Sequence, residues 1–221
     1  MPDQNTEDDA YFGSGLEHTP AISQGSVHLL TNQGTSVFTC ERLLDNTNID
    51  SVYTDGGIIG SNPSAIGGTW SAVFVSGNAL VAERSGVILP NDVWRKEDGI
   101  GHTKLVTATI ENNIAETIAI MLALESLPAG WRGTLYGDNL NSIRRARDLK
   151  IKDAVPKFIK DRLLKVRETV APAFVLLGGH PTLAEVEAGA RSDGKPVSRW
   201  NVRADKLCRE AAAKHLKAVA P

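Results

Sequence analysis

Three carboxylates stand at positions where a fold could bring them together. Asp55 closes the apolar, β-rich run Ser51-Val52-Tyr53-Thr54, and Asp138 follows a second such run, Thr134-Leu135-Tyr136-Gly137. Glu116 opens a segment that is otherwise apolar for two turns (Ile118, Ala119, Met121, Leu122, Ala123), and a carboxylate at the start of a buried helix needs a partner. In mixed sheets the ends of neighbouring strands converge, which makes Asp55 and Asp138 candidates to lie side by side. Like charges a few Å apart raise one another's pKa unless a cation neutralises them, so clustered acids imply a divalent metal site. Hard oxygen ligands suit Mg²⁺ or Mn²⁺, and a pair of such ions ~4 Å apart serves phosphodiester hydrolysis.

These side chains need a scaffold, and the period of the apolar residues supplies an outline. Ser51–Thr54 reads as a strand broken by Asp55-Gly56-Gly57, and Thr69–Val75 and Ala79–Leu89 alternate as two further strands. A loop, Pro90–Thr103, then leads to a helix over Asn113–Leu127, stopped by Pro128-Ala129-Gly130. Thr134–Tyr136 reads as a strand, followed by a basic helical stretch, a short apolar strand Phe174–Leu177 and a closing helix from about Val202 to Lys217. The order βββ-α-β-α-(α)-β-α predicts an α/β fold with a mixed five-stranded sheet, three antiparallel strands followed by parallel crossovers, flanked by helices.

Four segments in this order, Thr54-Asp55-Gly56-Gly57, Glu111-Asn112-Asn113-Ile114-Ala115-Glu116, Tyr136-Gly137-Asp138-Asn139 and Asn201-Val202-Arg203-Ala204-Asp205-Lys206-Leu207, closely resemble the acidic motifs of type 1 ribonuclease H, including the domains attached to reverse transcriptases. The resemblance runs from about Ser51 to Lys214. Singly each motif is weak, since Asp-Gly-Gly is more often a plain turn and Glu116 or Asp205 could be solvent-facing helix residues. Jointly and in order they are specific. The resemblance implies a ribonuclease H-like fold and an endonuclease that hydrolyses the RNA strand of RNA–DNA hybrids, leaving 5′-phosphates. It also implies two Mg²⁺ ions, with Mn²⁺ as a substitute, held by Asp55, Glu116, Asp138 and Asp205.

Further residues acquire roles from the same resemblance. Asn112 and Asn113 match the paired asparagines that hold the hybrid in its minor groove, where 2′-hydroxyls distinguish RNA from DNA; as plain sequence they read as an N-cap. Gly56, Asn139 and Asn201 fall at substrate-binding positions, Asn139 where many relatives have serine and with a capping role as its alternative. Glu111 replaces a residue that is often a small hydroxyl. His180, in Gly178-Gly179-His180, resembles the histidine that aids proton transfer or product release, although a lone histidine after a strand is often structural. The stretch from His180 to Asn201 is longer than the family's usual loop.

Charge is distributed unevenly. The first 50 residues carry eight acids and one base, a net −7, which leaves +5 on the remainder of a chain whose total is −2. Within it, Arg144, Arg145, Arg147, Lys150, Lys152, Lys157, Lys160, Arg162, Lys165 and Arg167 face only Asp148, Asp153 and Asp161. This run lies where some relatives carry a basic protrusion for the DNA strand. It also reads as an amphipathic helix with Val155, Phe158, Ile159, Leu163 and Val166 turned inward.

Residues 1–25 have the polar, acidic composition of a disordered tail. Residues 26–50 form an N-terminal extension in which Ser26–Phe38 reads as a hairpin about Asn32-Gln33-Gly34, and residues 51–221 form the main domain. Cys40 and Cys208 make neither a disulfide framework nor a zinc motif, and no run approaches the ~20 apolar residues of a membrane span. The expectation is a soluble intracellular protein of the cytoplasm or nucleus, monomeric, with no obligate protein partner. Other chemistries fit less well. A 3′–5′ exonuclease needs a second acid two residues after the first, where Gly57 stands, and a pepsin-like site needs Asp-Thr/Ser-Gly twice. The contrasting class is a catalytically silent binder of hybrids or double-stranded RNA derived from a retroelement, against which the presence of all four acids argues.

Overall fold

The computed structural model describes residue 43 and residues 48–94, 108–151 and 155–220. The tail and the hairpin read in residues 1–38 lie outside the described residues, as does most of the loop after Trp94. Five strands form one sheet in the order β3-β2-β1-β4-β5. β1 (Ser51–Ile58), β2 (Gly68–Ser76) and β3 (Ala79–Ile88) pair antiparallel, whereas β4 (Thr134–Gly137) runs parallel to β1, and β5 (Ala173–Leu176) parallel to β4. This is the mixed five-stranded α/β architecture that the strand and helix periods predict.

Six helices accompany the sheet among the described residues: α1 (Pro90–Val93), α2 (Asn112–Glu125), α3 (Leu140–Asp148), α4 (Lys157–Arg167), α5 (Leu183–Ala188) and α6 (Arg199–Val219). β2 is buried along eight of its nine residues because a helix covers each face. Trp70, Ala72 and Phe74 point toward the large core, shared with Ile118, Met121 and Leu122 of α2. Val73 and Val75 point to the other side and meet Trp200, Ala204 and Leu207 of α6. Fully burying a side chain of this size is worth roughly 1.5–3 kcal/mol, so the two faces hold α2 and α6 firmly against the strands that carry the site. Among the described residues no helix is long and apolar enough to cross a membrane.

Several details differ from the sequence reading, among them a short helix, α1, at the start of the segment expected as the loop Pro90–Thr103. The strand expected to break at Asp55-Gly56-Gly57 continues through it, with Asp55 opposite Ser71, Gly56 opposite Trp70 and Gly57 opposite Thr69. The glycines serve close approach and not a turn: a Cβ on Gly56 would collide with the backbone of Ala115 and Glu116. The N-cap of α2 is Glu111, whose side chain makes no capping bond, so Asn112 and Asn113 are the first helical residues and cap nothing.

The basic stretch is two helices. Its inward residues are those anticipated, with Val155, Ile159, Leu163 and Val166 buried and Phe158 packed against the core. Finally, the long segment before α6 contains α5, a short helix closed by a Thr182–Glu185 capping box and Gly189 in the left-handed region (φ 73°). α6 begins at Arg199, three residues before the expected start, because Ser198 accepts a hydrogen bond from the Trp200 N–H.

Candidate active site

Parallel pairing sets the centre of the site. Tyr53 of β1 lies opposite Tyr136 of β4, so Asp55 and Asp138, each two residues further on, emerge together at the C-terminal end of this strand pair. The first turn of α2 crosses over Gly56 and delivers Glu116 from above. One oxygen from each of Asp55, Glu116 and Asp138 lies within 4.8 Å of the others. Asp55 and Glu116 are buried, at 9% and 4% exposure.

Burial is the largest cause of every shift in this group. It lifts the Asp55 carboxyl to about 7, helped by the charges of Asp138 and Asp205, against weaker opposition from bonds to Cys208 and Gly56. Glu116 is raised well above the usual carboxylate range by burial and by Asp55 and Asp138. Asp138 is raised by burial too, while the Asn201 amide and the nearby His180 pull it down. Charged carboxylates are thus held together at a cost that a bound metal ion would remove.

The acids open onto a cleft of about 410 Å³ whose walls include Gly56, Asn112, Asn139, His180 and Asp205 as well as the three central carboxylates. Eight of the ten residues singled out from the sequence therefore share one cavity. Asp205 is set apart from the central three: it sits on the α6 wall and pairs with Arg209 one turn later at 3.2 Å. Asn113 and Asn201 are outside the lining. Asn113 accepts a hydrogen bond from Asn139 at 2.9 Å, and Asn139 in turn caps α3 by accepting from the Ser142 N–H at 3.0 Å. The capping alternative for Asn139 thus holds. Asn201 is 2% exposed and donates to Asp138 at 3.4 Å, while its side-chain oxygen has no hydrogen-bond partner. It stands behind the carboxylate.

Among the lining residues that the sequence reading did not assign to the site, two carry a thiol or a charge. Cys208 is buried, and its thiol donates to the Asp55 carbonyl at 3.4 Å; burial pushes its pKa well up, so it is a packed, inert thiol. Arg209 was visible in principle as a base four residues after Asp205 on one helix face.

Both basic helices pack against α2, and several of their charges are engaged. Arg145 donates to the Asn113 carbonyl at 2.9 Å, and Arg162 forms a two-pronged pair with Glu125, one arm at 2.8 Å. Lys157 pairs with Asp161 and Arg147 with Asp148.

No family model and no curated protein matches this chain. Among solved structures it is similar to the N-terminal RNase H domain of a Mycobacterium tuberculosis protein, at 15% identity and a TM-score of 0.49 over 77% of this chain and 99% of that one. It is also similar to a ribonuclease H1 isolated from compost by a metagenomic approach, at 22% identity and a TM-score of 0.48, over 77% and 99% of the two chains. A third is the RNase H1 of the halophilic archaeon Halobacterium salinarum, at 20% identity and a TM-score of 0.45, over 74% and 97%.

Proposed function

We propose that this chain is a divalent-metal-dependent endonuclease that hydrolyses the RNA strand of RNA–DNA hybrids. One observation carries the reading: three carboxylates from β1, α2 and the end of β4, with their pKa values raised by burial and mutual repulsion, converge in an open cleft beside Gly56, Asn112 and Asn139. The donor set consists of hard anionic oxygens and fits Mg²⁺, with Mn²⁺ as a substitute. Asp55, Glu116, Asp138 and Asp205 are the residues that would hold two such ions. Bound there, they would supply an activated water and neutralise charge on the leaving oxygen.

The chain's own groups do the rest. Gly56 lines the cleft and, lacking a Cβ, lets α2 cross closely enough to bring Glu116 to the site, and Asn112 and Asn139 offer amides to the sugar edge, where a 2′-hydroxyl marks RNA. Asn113 orients Asn139 through their shared hydrogen bond. Asn201, buried behind the site, holds Asp138 and does not reach the substrate; this replaces the direct contact expected of it. In hydrolysis a water oxygen bonds to phosphorus as the bond from phosphorus to the 3′-oxygen breaks. The products are a 5′-phosphate and a 3′-hydroxyl, and His180, at the cleft wall, carries a proton between solvent and the reacting oxygens.

The decisive assay incubates the protein and an Asp138→Asn variant with labelled hybrid, RNA duplex and DNA duplex, in Mg²⁺ and in chelator. The expected result is cleavage of the hybrid's RNA alone, by the unaltered protein alone, in Mg²⁺ alone, with 5′-phosphate ends. Activity in excess chelator or 2′,3′-cyclic phosphate products would rule out the mechanism. Tight hybrid binding without cleavage would establish a silent binding module instead.

A further inference from the structure

The segment between β5 and α6 is an ordered appendage that folds back onto the residues preceding His180. After α5 the chain forms a tight loop, with an antiparallel bridge between Ala190 and Pro196 and hydrogen bonds from the Arg191 N–H to the Lys195 carbonyl (2.9 Å) and from the Gly194 N–H to the Arg191 carbonyl (2.9 Å). Two contacts tie this loop to the start of the His180 turn. The Gly178 N–H donates to the Pro196 carbonyl at 2.8 Å, and the Arg191 guanidinium donates through Nη1 to the Gly179 carbonyl at 2.6 Å. The Arg191 stem also lies flat on Gly178, since a Cβ there would collide with its methylenes.

Gly179 is bounded on another side by the site itself: a Cβ on it would come within 2.8 Å of an Asp138 carboxylate oxygen. The next residue, His180, has a left-handed backbone (φ 47°), a conformation that a non-glycine residue keeps only where its surroundings impose it. The turn is therefore gripped by Arg191 and Pro196 and seated against Asp138. Nε of Arg191, 3.7 Å from an Asp193 oxygen, is near enough for an ion pair and too far for a hydrogen bond, so the Gly179 carbonyl is the firm partner of this side chain.

We infer that residues 181–198 are a built-in clamp for the His180 turn, and that Arg191 is its pin, a positioning residue that keeps the imidazole at the wall of the acidic cleft. Its effect on turnover rests on the nuclease reading above; its effect on the turn does not. A histidine that moves a proton must stay within hydrogen-bond reach of the reacting oxygens, and a misplacement of about 1 Å can cost ~10²-fold in rate.

The test uses the full chain with Arg191→Met, which keeps the stem packed on Gly178 and removes the hydrogen bond to Gly179, and with Arg191→Lys, which restores one donor. Amide exchange at Gly178 and at residues 179–180 is measured beside steady-state cleavage of hybrid in Mg²⁺. Arg191→Met should speed exchange of those amides and lower kcat by roughly 10- to 100-fold at an unchanged KM, and Arg191→Lys should recover part of both. Combined with His180→Ala, Arg191→Met should cost nothing further, because the pin then has nothing to place. Equal losses with and without His180, or unchanged exchange at residues 178–180, would overturn the clamp. Should the unaltered protein cleave no hybrid, the nuclease reading fails alone, and the exchange comparison still decides whether Arg191 grips the turn.

Discussion

α2 and α6 both carry a carboxylate to the cleft, and they carry it in opposite ways. Glu116 sits in a helix with eleven consecutive buried residues, Ile114 to Leu124, and is itself 4% exposed. Asp205 sits on a 21-residue helix that buries only Trp200, Asn201, Ala204, Leu207 and Cys208, and its side chain keeps 29% of its surface and an ion pair with Arg209. A carboxylate in the first setting cannot relax or shed its charge into water. One in the second can turn, exchange partners and be screened. The site thus joins a rigid core of acids, held together at a cost in repulsion and burial, to an adjustable acid at the rim.

Activity should show the largest effects. Asp55→Asn, Glu116→Gln and Asp138→Asn should each abolish hybrid cleavage, and Asp205→Asn should reduce it to a level that raised Mg²⁺ partly restores, since only the rim position is free to readjust. Measuring cleavage across a Mg²⁺ series checks this. Equal, unrescued loss at all four positions would erase the distinction between core and rim, and near-normal turnover in Asp55→Asn or Asp138→Asn would refute the ligand assignment. Next in size comes His180→Ala, expected to slow saturated turnover by about 10² to 10⁴ while leaving metal-dependent activity and hybrid binding in place. Rates equal to those of the unaltered protein across pH 6 to 9 would reduce His180 to a structural turn residue.

Stability should separate the two helices without any assay of activity. Asp55 has a folded-state pKa of about 7 against 3.8 for the free group, and Glu116 and Asp138 move in the same upward direction. Between those values the folded protein binds more protons than the unfolded chain. The metal-free protein should therefore lose stability as pH rises from about 4 through 7. Denaturant midpoints in chelator across this range test the slope, and saturating Mg²⁺ should remove it.

By the same reasoning Asp55→Asn should stabilise the metal-free protein at pH 7.5 by about 1 to 4 kcal/mol, since each unit of pKa shift corresponds to about 1.4 kcal/mol. Asp205→Asn should change it by less than about 1 kcal/mol, as for other exposed ion pairs. The smallest effect is expected from Arg209→Met: stability within about 1 kcal/mol, with half-saturation at a lower Mg²⁺ concentration because Asp205 has lost its competing cation. An unchanged or higher requirement would show that Arg209 does not compete for the rim.

Some of this was legible in the residue order. Alternation in Thr69–Val75 and Ala79–Leu89 marks strands whatever their neighbours, and the apolar repeat of α2 with its Pro-Ala-Gly stop marks a helix. The capping box of α5, Thr182 with Glu185, was legible as well and lay hidden in a stretch read as loop. Gly56-Gly57 was misread because a glycine that admits a crossing helix and a glycine that makes a turn are the same letter. The burial of Asn201 beside Asp138 was not legible, since packing and not residue type decides whether a polar side chain is covered.

By itself the sequence determined the element types and the identity of the chemical groups, because hydrophobic period and side-chain chemistry are local properties of the chain. Only the tertiary structure decided which groups meet. The parallel register of β1 with β4 brings Asp55 beside Asp138, and the crossing of α2 over Gly56 buries Glu116 against them. α6 leaves Asp205 at the rim with Arg209, and the fold-back of residues 190–196 seats His180. Proximity among Asp55, Glu116, Asp138 and Asp205, 22 to 150 positions apart, is set by strand pairing and helix packing, whose energies belong to the assembled core and to no single segment.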